Sequence, residues 1–359
     1  MGHVTPALAI RELLLQRDPA AEFIYVSRKN GPENRLISDI PLEEIEIRGL
    51  SRSRPMKNLD LPLVIARAER QCKKIIRQYG PSLVICTGGY VCYPMMKAAH
   101  KLGIPSVIHE SNSVPGLVTR CVAKYSSAVL LGYPEAKEKI KTRSPIEYVG
   151  TPVRQVGHGL SREDARQILG IGKNELYLIS FGGSLGAEAL NRICMTLMRK
   201  YCNGKRSIKH LHGTGIAYYT PLKDANRDIL GERLRITPYI HNIQIHMKAA
   251  DLALTRSGAI TIEELKRANT PSVLIPSPNV TDNHQYFNAL SREKTGGALL
   301  MTEQEALTEN GIKRIIKLIE DPEQRKCMRQ SLEANDENKN DQRLTELLTD
   351  LSNEYSAKK

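Results

Sequence analysis

The chain has 359 residues, which suits two domains of ordinary size better than a single core. Its contents of 41% hydrophobic and 25% charged residues are typical of a soluble globular protein. The formal net charge of +13 favours polyanionic partners, namely nucleic acid, an anionic membrane surface or a phosphorylated substrate. Because the chain carries no RNA-binding signature and no zinc-finger spacing, nucleic acid is not supported.

The seven cysteines are odd in number and include no CxxC pair, which argues against a disulfide framework or a zinc site. No apolar run approaches the roughly 20 residues that span a bilayer, and no signal peptide is present. The sequence therefore predicts a cytosolic protein without a transmembrane segment.

The first predicted element is an amphipathic helix over 7–16, which follows Gly2-His3-Val4-Thr5-Pro6 directly. Short apolar runs then alternate with helical patterns, and most of these runs are continuous, as in parallel strands buried on both faces. Each half is therefore predicted to be a doubly wound α/β sheet. The predicted strands are Phe23–Ser27, Leu83–Thr87, Ser106–His109, Ala128–Leu131, Leu176–Phe181, Ile208–His212, Leu234–Pro238, Leu252–Thr255, Ser272–Pro276 and Ala298–Met301.

A helix predicted over 59–79 places an apolar stretch, Leu61–Ile65, beside a run of cations. An amphipathic helix that packs on the sheet, with its cations solvated, explains most of this segment. The end at Leu61–Ile65 could instead contact an anionic membrane. The cations of this region are Arg48, Arg52, Arg54, Lys57, Arg67, Arg70, Lys73, Lys74 and Arg77.

Glycine and proline at 148–152 mark the end of the first half. We expect one domain over residues 1–150, a linker over 151–160 and a second domain over 161–335, whose first helix Ser161 could cap. Residues 336–359 carry a leucine pattern and are interpreted as a surface helix with a frayed end.

The strongest single motif is Gly182–Ala187, which follows a predicted strand and opens the next helix. Glycines allow the backbone to approach a phosphate, and the N–H groups of a helix N-terminus point toward it. Gly183, Ser184 and Gly186 are therefore candidate phosphate-binding residues. A tight turn that binds nothing remains the alternative.

Two further motifs also lie at predicted strand ends. Arg256–Glu264 opens a helix in which Glu264 could bond the hydroxyls of a ribose, although a solvated glutamate is the ordinary alternative. Asp282–Ala289 offers many polar groups, including Gln285, or is simply a capped helix start.

In the first half, Thr87–Tyr90 and His109–Asn112 are polar loops at predicted strand ends. His3 lies beside a glycine just before a helix, where a neutral imidazole could act as a general base. A structural role is the common alternative for an isolated histidine.

Seven motifs in this order resemble those of the MurG family, bacterial enzymes that complete lipid II in peptidoglycan synthesis. The resemblance extends from Gly2 to about Met301. The motifs are Gly2–Ala7, Gly88–Val91, His109–Asn112, Gly150–Arg154, Gly182–Ala187, Arg256–Ala259 and His284–Ala289.

The resemblance implies a GT-B fold, with two Rossmann-like domains facing a cleft. It also implies inverting transfer of N-acetylglucosamine from UDP-N-acetylglucosamine to the C4 hydroxyl of the N-acetylmuramyl group of lipid I, without a metal or other cofactor. In this scheme His3 is the candidate base and Glu110 its rival. Ile240 would hold the uracil, Glu264 the ribose and Gln285 the sugar hydroxyls. Residues placed at the donor site are Gly2, Asn112, Arg154, Gly183, Ser184, Gly186, Ile240, Arg256, Gly258, Ala259, Glu264 and Gln285.

The family also implies a peripheral position on the cytoplasmic face of the membrane, with lipid I and the anionic membrane surface as partners and cell-wall synthesis proteins as candidate partners. Two alternatives stay open: another GT-B transferase acting on UDP-sugars and glycolipids, or an inactive remnant that binds a UDP-sugar.

Three departures from the family pattern are evident. The family's first strand and most of its first glycine loop have no counterpart before Gly2, so we expect an N-terminal sheet that lacks its central strand. Ser111 stands where the family has glutamine in His-Glu-Gln-Asn, and Leu185 replaces glutamine in the glycine loop.

Overall fold

The computed structural model describes residues 2–37, 39–50, 55–154, 159–183, 185–333 and 337–358. The chain divides into two compact units. The first comprises Met1–Arg154 with Glu337–Lys359, and the second comprises Gln155–Asp336. Arg52, Arg54 and residues 155–158 of the expected linker lie outside the described residues.

The described residues contain twelve β-strands and fourteen α-helices. Up to residue 148 they are α1 (Val4–Arg17), β1 (Tyr25–Arg28), β2 (Leu42–Ile45), α2 (Leu61–Tyr79), β3 (Val84–Cys86), α3 (Cys92–Lys101), β4 (Ser106–Glu110), α4 (Leu117–Val122), β5 (Ala128–Leu131) and β6 (Ile146–Tyr148). From Arg162 onward they are α5 (Arg162–Ile168), β7 (Leu176–Phe181), α6 (Glu188–Leu197), β8 (Ile208–Gly213), α7 (Ile216–Ala225), β9 (Leu234–Thr237), α8 (Ile243–Ala249), β10 (Leu252–Thr255), α9 (Ala259–Arg267), β11 (Ser272–Leu274), α10 (His284–Lys294), β12 (Ala298–Leu300), α11 (Glu303–Ala306), α12 (Glu309–Glu320), α13 (Pro322–Glu333) and α14 (Glu337–Ser356).

The first unit holds two separate parallel sheets. Strands β3, β4, β5 and β6 form one in that order, while β1 pairs only with β2. This division agrees with the expectation of an interrupted N-terminal sheet. Helix α1 supplies apolar side chains to the clusters beside both sheets: Val4 packs with Ile37 and Ile40, and Ile10 packs with Leu130.

Helix α14 corrects the expectation of a surface helix. Its Leu344 and Leu348 are buried with Ile10 and Leu13 of α1 and Val107 of β4. The leucines of α14 therefore belong to the core of the first unit, although in the sequence the whole second unit lies between them and the rest of that unit.

The second unit is built on one parallel sheet with the strand order β12-β11-β10-β7-β8-β9. This is the Rossmann order, in which the first strand, β7, lies beside the fourth, β10. Ligands of such sheets bind outside the carboxyl ends of the strands, at the point where the strand order reverses. That point lies between the loops that follow Phe181 and Thr255.

All ten segments predicted as strands are strands in the structure, with ends shifted by no more than two residues. The sequence does not indicate β2, because Glu43 and Glu44 interrupt its apolar pattern, and it marks only the end of β6. Among the described helices, none is long and apolar enough to cross a membrane.

Candidate functional site

The glycine loop Gly182–Ala187 leads from β7 into α6 and crosses the loop that follows β8. A Cβ atom added at Gly186 would lie 2.1 Å from the Thr214 carbonyl oxygen, and one at Gly215 would lie 2.5 Å from the backbone of Gly186. Gly183, Gly186 and Gly215 all have positive φ, which glycine adopts readily. These contacts require glycine at the crossing, and they hold the loop at the end of β7.

A buried polar network lies directly behind this crossing. Ser180 Oγ lies 2.8 Å from both His210 Nε2 and His212 Nδ1, and His212 Nε2 lies 2.9 Å from Asn191 Oδ1. Asn191 Nδ2 in turn donates to the Thr214 carbonyl at 3.1 Å. Burial lowers the pKa of His210 to about 3 and that of His212 to about 4, so both imidazoles are neutral. The network ties α6 to the carbonyl against which Gly186 packs.

The loop after β10 ends at the N-terminus of α9. Gly258 is the cap residue and Ala259 the first helical residue, and the cap glycine offers no side chain to the N–H groups of the first turn. Such groups, together with the helix dipole, favour a negatively charged ligand. The fully buried Ser257 hydroxyl beside them has no hydrogen-bond partner among the described residues.

Arg256, which precedes this turn, is held by the protein itself. Its Nη1 donates to the carbonyls of Ile275 (3.1 Å) and Pro276 (3.3 Å), and its Nη2 pairs with the carboxylate of Glu303. Gln285 supports the same edge, because its Oε1 accepts from the Ser277 backbone N–H at 2.9 Å. Both side chains therefore brace the loop that follows β11.

Glu264 lies on α9 and accepts a hydrogen bond from Gln244 Nε2 of α8 at 3.2 Å. Burial raises the pKa of this carboxyl to about 7, and the bond from Gln244 opposes that shift. Ile240 is buried and packs over Gly213 at the end of β8, where an added Cβ would lie 3.2 Å from its Cγ1.

A cavity of about 720 Å³ opens along the glycine loop. Four of the predicted donor-site residues line it: Gly183, Gly186, Arg256 and Gln285. The predicted residues Ile240, Gly258, Ala259 and Glu264 are not among its lining residues. Ser184 lies outside the described residues. The lining residues are Gly182, Gly183, Leu185, Gly186, Ala187, Glu188, Ala189, Arg192, Tyr218, Arg256, Ser277, Asn279, Val280, Gln285, Glu303 and Leu307. The sequence did not indicate Arg192, Tyr218 or Glu303, although Arg192 lies only one helical turn beyond the glycine motif.

In the first unit, two hydrogen bonds hold the exposed His3 against the loop after β3, one through its ring and one through its backbone carbonyl. Its Nδ1 donates to the Thr87 carbonyl at 2.9 Å, and Thr87 Oγ1 donates to the His3 carbonyl at 2.6 Å. Because a carbonyl can only accept, the proton resides on Nδ1 and the lone pair on Nε2. The ring rests on Gly88, where an added Cβ would lie 2.6 Å from Nδ1. This arrangement leaves Nε2 able to accept a proton.

Glu110 is nearly fully buried, and hydrogen bonds occupy both of its carboxylate oxygens. Its Oε1 accepts from the backbone N–H (3.0 Å) and Nδ2 (3.1 Å) of Asn112. Its Oε2 accepts from the Gly116 N–H at 2.9 Å and from Thr119 Oγ1 at 2.7 Å. A carboxylate so engaged orders the turn into α4, and this geometry argues against Glu110 as the base.

The other candidates in this unit differ in their surroundings. Gly2 is exposed beside His3. Arg154 donates from Nε to Glu12 Oε1 of α1 at 2.7 Å, so its guanidinium is anchored within the first unit. Across the described stretches of chain, no group of three or more His, Cys, Asp or Glu side chains could hold a metal ion.

Comparisons with known proteins agree with this arrangement. Residues 1–131 match the glycosyltransferase family 28 N-terminal domain, and residues 178–344 match the glycosyltransferase family 28 C-terminal domain. The crystal structure of MurG from Acinetobacter baumannii superposes with a TM-score of 0.75 at 25% identity, covering 97% of this chain and 96% of that one. The fold is therefore GT-B.

Two curated relatives share the name UDP-N-acetylglucosamine--N-acetylmuramyl-(pentapeptide) pyrophosphoryl-undecaprenol N-acetylglucosamine transferase. The one from Acetivibrio thermocellus is 34% identical, over 89% of this chain and 87% of its own length. The one from Listeria monocytogenes is 36% identical, over 85% of this chain and 84% of its own length. With this identity over nearly the whole chain and both family-28 domains matched, the chain belongs to the MurG family of glycosyltransferases.

Proposed function

We propose that this chain transfers N-acetylglucosamine from UDP-N-acetylglucosamine to the C4 hydroxyl of the N-acetylmuramyl group of lipid I, giving lipid II in peptidoglycan synthesis. The observation that carries the proposal is the 34–36% identity to transferases named for this reaction, over most of their length. The loops at the switch point of the second sheet support it, because they offer glycine backbone and a free helix N-terminus where a diphosphate would bind.

In this proposal the second unit binds the donor. Gly183, Gly186 and Ser184 hold the diphosphate, together with the first turn of α9 at Gly258 and Ala259. Ile240 packs on the uracil, Glu264 bonds the ribose hydroxyls and Gln285 bonds the sugar hydroxyls. Arg256 keeps the loop after β11 in place, because its guanidinium is bonded to that loop's carbonyls.

The chemical step is a single in-line displacement. The acceptor C4 oxygen attacks the anomeric carbon, the bond from that carbon to the UDP oxygen breaks, and the electron pair leaves with UDP. His3 Nε2 takes the hydroxyl proton, while the Thr87 carbonyl holds the ring in the required tautomer. Gly2, Asn112 and Arg154 are the other first-unit residues that the proposal assigns to the donor.

Negative charge develops on the leaving diphosphate during this step. N–H groups that already point at the diphosphate stabilise that charge without reorganisation, so the proposed mechanism needs no metal. Incubation with EDTA should leave turnover unchanged; a strict requirement for a divalent ion would contradict this part of the proposal.

The proposal places the enzyme on the cytoplasmic face of an anionic membrane. Four large apolar side chains near the start of α2 are exposed: Leu50, Met56, Leu59 and Leu63. Arg67 and Arg70 on α2 are also exposed. Apolar side chains beside cations match the chemistry of an anionic bilayer surface, where the prenyl chain of the acceptor resides.

The decisive experiment is a turnover assay with UDP-N-acetylglucosamine and a lipid I analogue, in which NMR reports the configuration of the new glycosidic bond. We expect a β-linked product from the α-linked donor. Diacylglycerol and sterol acceptors run in parallel test the alternative of another glycolipid transferase. Binding of the donor with no turnover on any acceptor would favour an inactive UDP-sugar-binding protein.

A further inference from the structure

Arg192 is a cation in the donor-side cavity that no family motif includes. It is the fifth residue of α6, one turn beyond the glycine loop, and its exposed side chain lines the same cavity as Gly183 and Gly186. Glu188 and Ala189 line the cavity from the same face of the helix.

The guanidinium of Arg192 has no partner among the residues that the structure describes. It makes no hydrogen bond or ion pair with any residue that the structure describes, and Glu188, one turn earlier on the helix, does not pair with it. An arginine carries five N–H donors in a rigid fork and is positively charged at every physiological pH. An arginine that lacks such partners at the edge of a cavity is available to a ligand.

Arg256 differs from Arg192 in the partners of its guanidinium. Arg256 also lines the cavity, but its two terminal nitrogens already serve two backbone carbonyls and the Glu303 carboxylate. Its charge is therefore largely compensated before a ligand arrives. Of the two arginines on this cavity, Arg192 is the one with a free charge and free donors among the described contacts.

We propose that Arg192 binds a diphosphate group in this cavity, as a further substrate-binding residue of the transfer reaction. The inference rests on the proposed function, which supplies two diphosphates: that of the nucleotide-sugar donor and that of the prenyl-linked acceptor. A guanidinium can bond two phosphate oxygens at once, and such charge-assisted bonds are about twice as strong as neutral ones. If the group is the donor's, the bond strengthens as charge accumulates on the departing UDP.

The test compares Arg192→Gln with a matched control, Lys200→Gln. Lys200 follows α6, is exposed and makes no ion pair within the described parts of the chain, so both variants remove one charge from the same unit. Calorimetry measures the dissociation constants of UDP and of uridine. For a donor contact we expect Arg192→Gln to weaken UDP binding roughly tenfold to hundredfold, with uridine binding and the Lys200→Gln variant unchanged.

Two further measurements identify the source of the diphosphate. Arg192→Lys should restore part of the UDP affinity, because it keeps the charge but loses the two-point geometry. If UDP binding is unchanged in Arg192→Gln while the KM for the lipid I analogue rises by a similar factor, the acceptor diphosphate is the ligand, and the inference still holds.

The outcomes separate this inference from the proposed function. A wild-type protein that binds UDP and transfers the sugar, with an Arg192→Gln variant equal to it in both UDP affinity and acceptor KM, would overturn the inference alone. A wild-type protein that neither binds UDP nor transfers sugar would overturn both. Circular dichroism of each variant excludes loss of folding as the cause of any change.

Discussion

The candidate residues of the two units are held in place by different means. In the second unit, the glycine loop is fixed by backbone-to-backbone packing of Gly186 against Gly215 and by the buried network through Asn191. In the first unit, the exposed His3 depends on two hydrogen bonds to Thr87. The glycine loop is therefore anchored to the buried network behind it, whereas the proposed base is positioned by a local surface contact.

The two sites should therefore respond differently to mutation. Changes at the glycine crossing should reduce folding stability and donor binding together, because the same atoms serve both. Changes at His3 should reduce the rate of transfer and leave folding intact, because its ring fills no core volume.

The largest effect is expected for His3→Ala. Loss of a general base lowers kcat by about 10²–10⁴-fold, while the dissociation constant of UDP-N-acetylglucosamine and the melting temperature stay as in the wild type. Steady-state kinetics and thermal unfolding measure these quantities. His100→Ala, which removes an exposed histidine on α3, is the control. A kcat within a few-fold of wild type would remove His3 from the chemical step.

Gly186→Ala should damage the second unit. The added Cβ would lie 2.1 Å from the Thr214 carbonyl, and the residue has a φ of +78°. Steric overlap and left-handed strain together should lower the free energy of unfolding by roughly 2–4 kcal/mol and abolish donor binding.

Gly183→Ala is the matched control for this variant. Gly183 also has positive φ, at +87°, but an added Cβ there would meet no atom within 4 Å. Gly183→Ala therefore introduces backbone strain without steric overlap and should lower the free energy of unfolding by only about 1–2 kcal/mol. Urea unfolding measures both variants. Equal losses of unfolding free energy would show that Gly186 is not tightly packed against Thr214 and Gly215.

Donor affinity should depend on pH through Glu264. Because the pKa of this carboxyl is about 7, it is largely protonated at pH 6 and ionised at pH 8. Ribose hydroxyls donate more strongly to the ionised form, so the affinity should rise by about 1 kcal/mol, roughly fivefold, across this range. UDP-N-acetylglucosamine suits the measurement, since each of its phosphates carries one ester and one anhydride bond and does not titrate between pH 6 and pH 8.

Two variants test the assignment of this pH dependence. Glu264→Gln should flatten the profile, and Glu264→Ala should weaken donor binding by roughly 1–3 kcal/mol at pH 8. A wild-type affinity that stays constant from pH 6 to pH 8 would mean that Glu264 does not contact the ribose.

The smallest effect is expected at the membrane patch. Leu63→Ser removes an apolar side chain that is 64% exposed, so folding should be unaffected. Cosedimentation with vesicles containing anionic phospholipid should fall a few-fold, because a leucine that is only partly buried at the membrane surface contributes less than the full transfer energy, about 0.5–1 kcal/mol. Leu117→Ser, which alters an exposed leucine on α4, is the control. Equal sedimentation of wild type and Leu63→Ser would place the contact elsewhere.

The sequence predicts most of the architecture, because buried parallel strands read as continuous apolar runs bounded by glycine and proline. It also leads to the glycine loop and to Arg256, since both follow such strands directly. It does not indicate that Arg256 is bonded to the loop after β11, because the Ile275 and Pro276 carbonyls that it contacts are 19 and 20 residues away.

Other features depend on packing that no local pattern encodes. Glu264 and Glu263 are adjacent and look alike in the sequence, yet Glu264 accepts a hydrogen bond from Gln244 of α8, whereas Glu263 pairs with Lys266 and Arg267 of its own helix. The availability of Arg192 is equally invisible, because it depends on which acids lie within reach of its guanidinium. The leucines of α14 show that the helix is amphipathic but not which unit it covers.

The return of α14 to the first unit has a practical consequence for dissecting the molecule. The second unit is an uninterrupted stretch of chain, so residues 159–333 can be expressed alone as a test of donor binding. The first unit cannot be obtained by simple truncation. A fragment ending near residue 154 would expose the surface that Leu344 and Leu348 cover, and we expect it to aggregate. Fusing residues 337–359 to such a fragment through a flexible Gly/Ser linker should restore its solubility.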